Sequence, residues 1–465
     1  MNNRRSLDHD VVSRLTRQIR GEVLQPGIDG YDPAREIWNS RLDRRPSLIV
    51  RCVNADDVIA AVESARTLGI PLAVRGGGHD YAGNSTGEGA LLIDLSPMNE
   101  VSIDPDGRTA RVQAGATWGE VDRHAQAFGL GTTAATVSSV GVAGYLLGGG
   151  TGHLARAFGL GVDNLLSADL VTAAGRLVRA SENENPDLFW GIRGGGGNFG
   201  VATEFELALH SVGPEVLAGQ IVYPFEDAPK VVRVYRDVMA DAPDQLNCYA
   251  FVIRVPPIPA FAEEHHGKVA IDLVVVFNGP VESGERLVAP LRTIAAPILD
   301  WVEPQQWTAV QQTFDAGVPG GLRWYTRSNC LMALSDSAID TFLEWAEPMP
   351  GTHSMAYLEP FGGAIARVDP AATAFPHRHA PYSFHVLAGW DNPQDDDRLM
   401  GWARSLQQAM AQYSTGGAYV NLVAEDEADG ILAAYGPNYD RLVSLKRVWD
   451  PGNLFRLNHN IQPTG

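Results

Sequence analysis

A histidine that follows three consecutive glycines is the first arrangement here with the means to do chemistry: Arg75-Gly76-Gly77-Gly78-His79-Asp80. Glycine has no Cβ, so a run of it turns the backbone sharply and leaves N–H groups bare for an anion. The imidazole of His79 then lies beside whatever carries the anion. A tight surface turn with a polar residue after it is the other reading of the same letters. Two more glycine stretches, 141–152 and 194–200, occur in the same half of the chain. Together the three suggest several backbone segments laid against one long phosphorylated cofactor, or else crowded chain crossings in a compact domain.

Competing motifs fail on context. Gly195-x-Gly197-x-x-Gly200 has the letters of a dinucleotide fingerprint. That fingerprint needs a helix after it, and an alternating strand pattern, Gly200 to Leu209, follows instead. Gly83-Asn84-Ser85-Thr86-Gly87 has the letters of a nucleophile elbow but lacks the strand before it and the helix after it, so a hydrolase is not expected. His265-His266 and His377-Arg378-His379 have no carboxylate or cysteine beside them at ligand spacing. They read as surface histidines, and no metal site is expected. Cys52, Cys248 and Cys330 form no CxxC and read as reduced core residues.

The elements that must position the glycines are legible. Leu7, Val11, Leu15 and Ile19 recur at four-residue steps, a helix face. Ser47 to Cys52 reads as a strand, Ala55 to Leu68 as a helix with Asp56 and Asp57 in its first turn, and Pro71 to Val74 as the strand entering the glycine loop. Hairpins are expected to turn at Asp104-Pro105-Asp106-Gly107 and at Ala173 to Arg176. From about residue 213 glycine runs vanish and longer strands and helices alternate, so a domain boundary is placed there. A chain of 465 residues is in any case too long for one ordinary core. A formal charge of −19 argues against nucleic-acid and anionic-membrane partners. The charged start has no apolar signal region, no apolar run is long enough to span a membrane, and a cytoplasmic location is expected.

With these stretches in view, the chain resembles the flavin-linked oxidases of the berberine bridge enzyme and 6-hydroxynicotine oxidase family, in the vanillyl-alcohol oxidase superfamily. The likeness runs from about residue 35 to Gln462. It is carried by Arg75 to Asp80, Gly141-Val-Ala-Gly144, Gly148-Gly-Gly-Thr-Gly152, Gly161-Val-Asp-Asn-Leu165, Asn185-Pro-Asp-Leu-Phe-Trp190, Gly194 to Gly200 and Asp450-Pro-Gly-Asn-Leu-Phe-Arg456. The resemblance implies an α+β fold. A two-lobed FAD-binding domain of the PCMH type would fill 1–213, with its core at about 40–213. A substrate domain of antiparallel sheet backed by helices would fill 214–415, and a berberine-bridge-like segment, 416–465, would return to the FAD domain. It further implies FAD bonded through the imidazole of His79, with Arg75, Gly76, Gly77, Gly78, Asp80, Val137, Ser138, Gly141, Gly144, Gly148, Gly149, Gly152, His153, Gly200, Val201, Tyr419, Asn421 and Asn458 against the cofactor.

Two departures from the family pattern narrow the reading. The position of a second, cysteinyl tether in many relatives is Val137 here, so one covalent link is expected. The tyrosine base of sugar-oxidising members, in Tyr-x-Asn-Tyr, is replaced in Tyr419-Val420-Asn421-Leu422. The family's chemistry is hydride transfer from a small organic amine or alcohol to flavin N5, with O₂ as acceptor. An alcohol needs a base for its proton; an amine is assisted by its own lone pair. On the alternating stretch Met355 to Phe361, Tyr357, Glu359 and Phe361 would share one face, which the resemblance places above the flavin. Glu359 is the first candidate for base or substrate anchor and Tyr249 the second, ahead of His385 and Tyr325, with Tyr145 bordering the pocket. A flavin-dependent oxygenase tailoring a polyketide and a flavin-binding protein without turnover stay open. The substrate and the oligomeric state are not coded in the letters.

Overall fold

The computed structural model describes residues 8–427 and 429–463, so Leu7 and the charged start before it lie outside the described residues. The fold is α+β. Its first lobe is a four-stranded sheet in the order Glu22–Leu24, Leu48–Arg51, Leu91–Asp94, Leu72–Arg75, the last three parallel. Leu48–Arg51 and Leu91–Asp94 are near-continuous apolar runs, as strands buried on both faces must be. Helix Ala55–Leu68 covers them. The Asn54 side chain caps its start by accepting from Asp57 N, and Gly69 ends it in the left-handed region.

The second lobe is a five-stranded antiparallel sheet in the order Val101–Asp104, Thr109–Gln113, Val201–Ala208, Leu165–Val171, Leu177–Ser181. Both expected hairpins are present. Asp104 Oδ1 closes the first turn by accepting from the amides of Asp106 and Gly107. Between the hairpins the small-residue stretch forms two short helices, Val142–Leu147 and Ala155–Phe158.

The third layer is a seven-stranded antiparallel sheet in the order Leu299–Gln306, Glu215–Pro224, Val269–Phe277, Leu246–Arg254, Met355–Pro360, Tyr382–Trp390, Arg323–Leu331. Helices Ala228–Ala240, Val281–Arg292, Asp336–Ala346 and Asp396–Met410 pack on one face in a single apolar cluster. The opposite face turns toward the glycine-rich lobes. Strands Leu299–Gln306 and Arg323–Leu331 escape a sequence reading because neither alternates. The first is an exposed edge strand containing Pro304, and the second carries Thr326, Arg327, Ser328 and Asn329 in succession.

The chain then returns. Helix Tyr439–Trp449 presents Lys446, fully buried, whose Nζ donates to Asn198 O and Phe455 O at 2.8 Å and pairs with Asp450 at 2.8 Å. Asp450 in turn accepts from the amides of Leu454 and Phe455. Asp450-Pro-Gly thus stops the helix and also fastens the turn after it. Asn198 Oδ1 accepts from Ile461 N, which lays the tail along the 194–200 glycine run.

Candidate active site

One long cavity runs between the two lobes and the seven-stranded sheet and encloses about 2000 Å³ of empty space, open mouth included. At one end the walls are backbone. Gly76, Gly77 and Gly78 leave the Leu72–Arg75 strand, and Gly77 crosses the chain at Gly141 at a separation no side chain would permit. Gly144 and Gly197 also line this end, and a Cβ on either would meet nothing within 4 Å. Bare backbone therefore faces open space here, as a close-lying ligand requires.

His79 stands next to this cradle. Its ring stacks on Trp38 with 4.7 Å between centroids, and its Nε2 is 2.9 Å from the hydroxyl of Ser139. Burial pushes its imidazole down to about 4, so it is neutral at ordinary pH. Among the described residues Nδ1 has no hydrogen-bond partner.

At the other end the walls are aromatic. Tyr249, Phe251, Phe314 and Tyr357 form a contiguous group, with Phe251 stacked on Tyr357 at 4.6 Å and 5.2 Å from Phe314. Glu359 lines this end and is only 3 % exposed. Its Oε1 accepts from the Thr151 hydroxyl and, at 3.4 Å, from Tyr249. Its Oε2 lies 3.0 Å from Nε2 of His385, on the neighbouring strand. Burial beside this carboxylate raises the phenols of Tyr249 and Tyr357 well above their ordinary value, so both are protonated donors. Tyr419 OH accepts from Gly150 N and Asn421 Nδ2, and Leu422 lines the wall nearby.

Of the residues expected against a cofactor, Gly76, Gly77, Gly78, His79, Asp80, Val137, Gly141, Gly144, Gly200, Val201, Tyr419, Asn421 and Asn458 line this cavity, as does Tyr145. Arg75, Ser138, Gly148, Gly149, Gly152 and His153 do not. Arg75 turns beneath the sheet to Asp94, at 2.8 Å. The Ser138 hydroxyl goes to Asp315. Gly148 abuts the Asn421 amide, and Gly149 and Gly152 press against neighbouring side chain and backbone. His153 is buried behind Tyr249 with both ring nitrogens unpartnered among the described residues, and burial drives it down to about 3.

Phe361 does not share the face of Tyr357 and Glu359 in the cavity. The strand ends at Pro360, and Phe361 packs on Ala155 and Leu160. Tyr325 is also outside, its hydroxyl bonded to Asp426. His377 is not at the surface: it is half-buried, with Nε2 against the carbonyls of Ala433 and Ala434. Sequence reasoning missed Trp38, Ser139 and Thr151, since a stacking or donor partner from another segment leaves no mark in local spacing.

A profile described as FAD binding domain matches residues 46–181, and one described as berberine and berberine like matches residues 418–462. The (R)-6-hydroxynicotine oxidase of Paenarthrobacter nicotinovorans is 32 % identical over 96 % of this chain and 98 % of its own. The chain belongs to the berberine bridge enzyme-like family of FAD-linked oxidoreductases. Among solved structures, 6-hydroxy-D-nicotine oxidase from Arthrobacter nicotinovorans superposes with a TM-score of 0.86 at 30 % identity, covering 96 % of this chain and 98 % of that one. The Physcomitrella patens berberine bridge enzyme-like protein 1 gives 0.86 at 26 % identity, covering 96 % and 97 %.

The cavity of this family member suits FAD on its own chemistry. Bare backbone at Gly144 and Gly197 faces open space that a cofactor could occupy, and two buried polar atoms on the wall, Ser85 Oγ and Asn458 Oδ1, have no partner among the described residues. Among the described residues no group of three or more His, Cys, Asp or Glu gathers for a metal, and no helix is long and apolar enough to cross a membrane.

Proposed function

We propose that this oxidoreductase is an oxidase that takes a hydride from a C–H bond next to the nitrogen or oxygen of a small, flat amine or alcohol, a secondary metabolite by class, with O₂ as final acceptor. When bound, FAD supplies the two-electron acceptor, which O₂ reoxidises with release of H₂O₂. The glycine backbone at 76–78, 141–144 and 196–200 would hold its phosphates, and His79 alone would bond it covalently. Val137, at the second tether position, has no nucleophile to offer.

The observation that carries the reading is a buried carboxylate, Glu359, set in an aromatic wall on the same cavity as His79. The rings of Phe251 and Tyr357 suit a flat substrate and exclude water. With an alcohol, Glu359 accepts the proton that the substrate O–H gives up as the C–H bond breaks; an amine is assisted by its own lone pair, and Glu359 anchors it. His385 and Tyr249 hold the carboxylate in place meanwhile. Leu422, where sugar-oxidising relatives place a tyrosine, leaves Glu359 as the base, and Tyr249 orients it. We also propose 1–213 and the returning 416–465 as the cofactor-binding part and 214–415 as the substrate-binding part.

Aerobic turnover of a panel of aromatic amines, benzylic alcohols and oligosaccharides, with peroxide detection, tests this. Peroxide formed with an amine or alcohol, equimolar with product and without oxygen added to the product, is the expected result. Oxygen from O₂ found in the product overturns the oxidase reading.

A further inference from the structure

Glycines hem in Thr151 on both sides. The run is Gly148-Gly149-Gly150-Thr151-Gly152, and packing explains the glycines one by one. A Cβ on Gly148 would fall 1.8 Å from the Asn421 amide, one on Gly150 2.4 Å from the Tyr145 ring, and one on Gly152 2.0 Å from the Ala134 carbonyl. The segment is wedged, and hydrogen bonds fix it further. Gly150 O accepts from Gly161 N at 2.7 Å, Gly149 O from Val162 N at 2.9 Å, and Thr151 O from the Tyr145 hydroxyl at 3.0 Å. The one side chain this rigid stretch carries reaches into the cavity and donates its hydroxyl proton to Glu359 Oε1.

We propose that Thr151 is a positioning residue for Glu359, fixing the direction of the carboxylate from the cofactor-binding side of the cavity. Two of the other contacts to Glu359, from Tyr249 and His385, come from the seven-stranded sheet itself and move with it. Thr151 is the contact that crosses to the other part of the protein. It ties the proton acceptor to the frame that bounds the cofactor space, so that a shift between the two parts does not carry the base away from the reacting atoms. A hydroxyl donating to a buried carboxyl oxygen has the strength for that. The inference rests on Glu359 as the base.

Holoenzyme crystal structures of Thr151→Val and Thr151→Ser read the orientation without a substrate. In Thr151→Val, Glu359 is expected to leave its place and take a second rotamer; in Thr151→Ser it stays. With the substrate found in the panel, anaerobic flavin bleaching in Thr151→Val should slow about tenfold to a hundredfold with little change in KM, and recover in Thr151→Ser. Glu359 unmoved in Thr151→Val overturns the proposal while leaving the base intact. Glu359→Gln separates the two: unimpaired turnover in that variant overturns the base reading itself, whatever Thr151→Val shows of orientation.

Discussion

Gly77 and Gly141 cross backbone to backbone. A Cβ on Gly77 would fall 2.4 Å from the Gly141 amide nitrogen, and one on Gly141 would fall 2.3 Å from that of Gly77. Neither contact can relax through a flexible side chain, because both partners are main chain. Gly77→Ala should therefore cost about 1–3 kcal/mol or more through overpacking. It should also open the crossing that is proposed to hold the cofactor. Purified Gly77→Ala is expected to show a lower melting temperature and a visible absorbance per protein well below wild type. Full flavin content would mean that the crossing plays no part in binding.

His79 is the only proposed tether, so acid precipitation separates bonded from bound flavin. The wild-type pellet should stay yellow, whereas His79→Ala should give a white pellet and a yellow supernatant. The ring also stacks on Trp38, so some loss of affinity should accompany the loss of the bond. A colourless wild-type pellet would end the covalent assignment.

Glu359→Gln keeps the size of the side chain and one oxygen for the Thr151 hydroxyl. Loss of a general base typically costs 10²- to 10⁴-fold, and kcat is expected to fall by about that much with KM nearly unchanged. Steady-state kinetics on the panel substrate checks it. An equal fall for an amine and for an alcohol of the same skeleton would place the proton in both reactions on this carboxylate.

Asp122 gives the fold a pH dependence. It is buried at the contact between helix Trp118–Gln126 and Gln311, whose Nε2 donates to it at 3.1 Å. Burial pushes its carboxyl up from 3.8 to about 7. A pKa raised on folding contributes stability that is whole below about 4 and is lost as the pH rises through about 7. At roughly 1.4 kcal/mol per pH unit the loss is on the order of 2–4 kcal/mol. Asp122→Asn should match wild type near pH 4 and be more stable than wild type at pH 8. Urea unfolding midpoints at the two pH values test the sign. Asp272, raised to about 7 in the same way, adds a parallel loss that Asp122→Asn leaves in place.

What the sequence showed, and what it hid, follows the range of the interactions. The approach to His79 is a local pattern, an apolar strand and then residues without side chains, and so is the turn at Asp104–Gly107. Glu359 was found because alternation fixes which face of a strand a residue takes. Its contact with Tyr249 was not readable as a contact, because the strand order of the seven-stranded sheet departs from chain order and puts Leu246–Arg254 next to Met355–Pro360. Arg75 was misread for a similar reason. The loop pattern names the residue, but its guanidinium is taken by Asp94, one strand over in space and 19 residues on in sequence. Tyr325 shows the converse. Its strand neighbours the site, yet three arginines and Asp426 draw its hydroxyl to the far side.

The return of the chain through Lys446 and Asp450 to Asn198 has a consequence for the order of assembly in the cell. Asn458 and His459 form part of the cavity wall, so the pocket lacks a side until translation has passed them. A nascent polypeptide still short of that point would offer an open trough, and the coenzyme would be enclosed only once that segment had been made and folded back. Supply of flavin during expression would then set how much of the newly made protein closes around it.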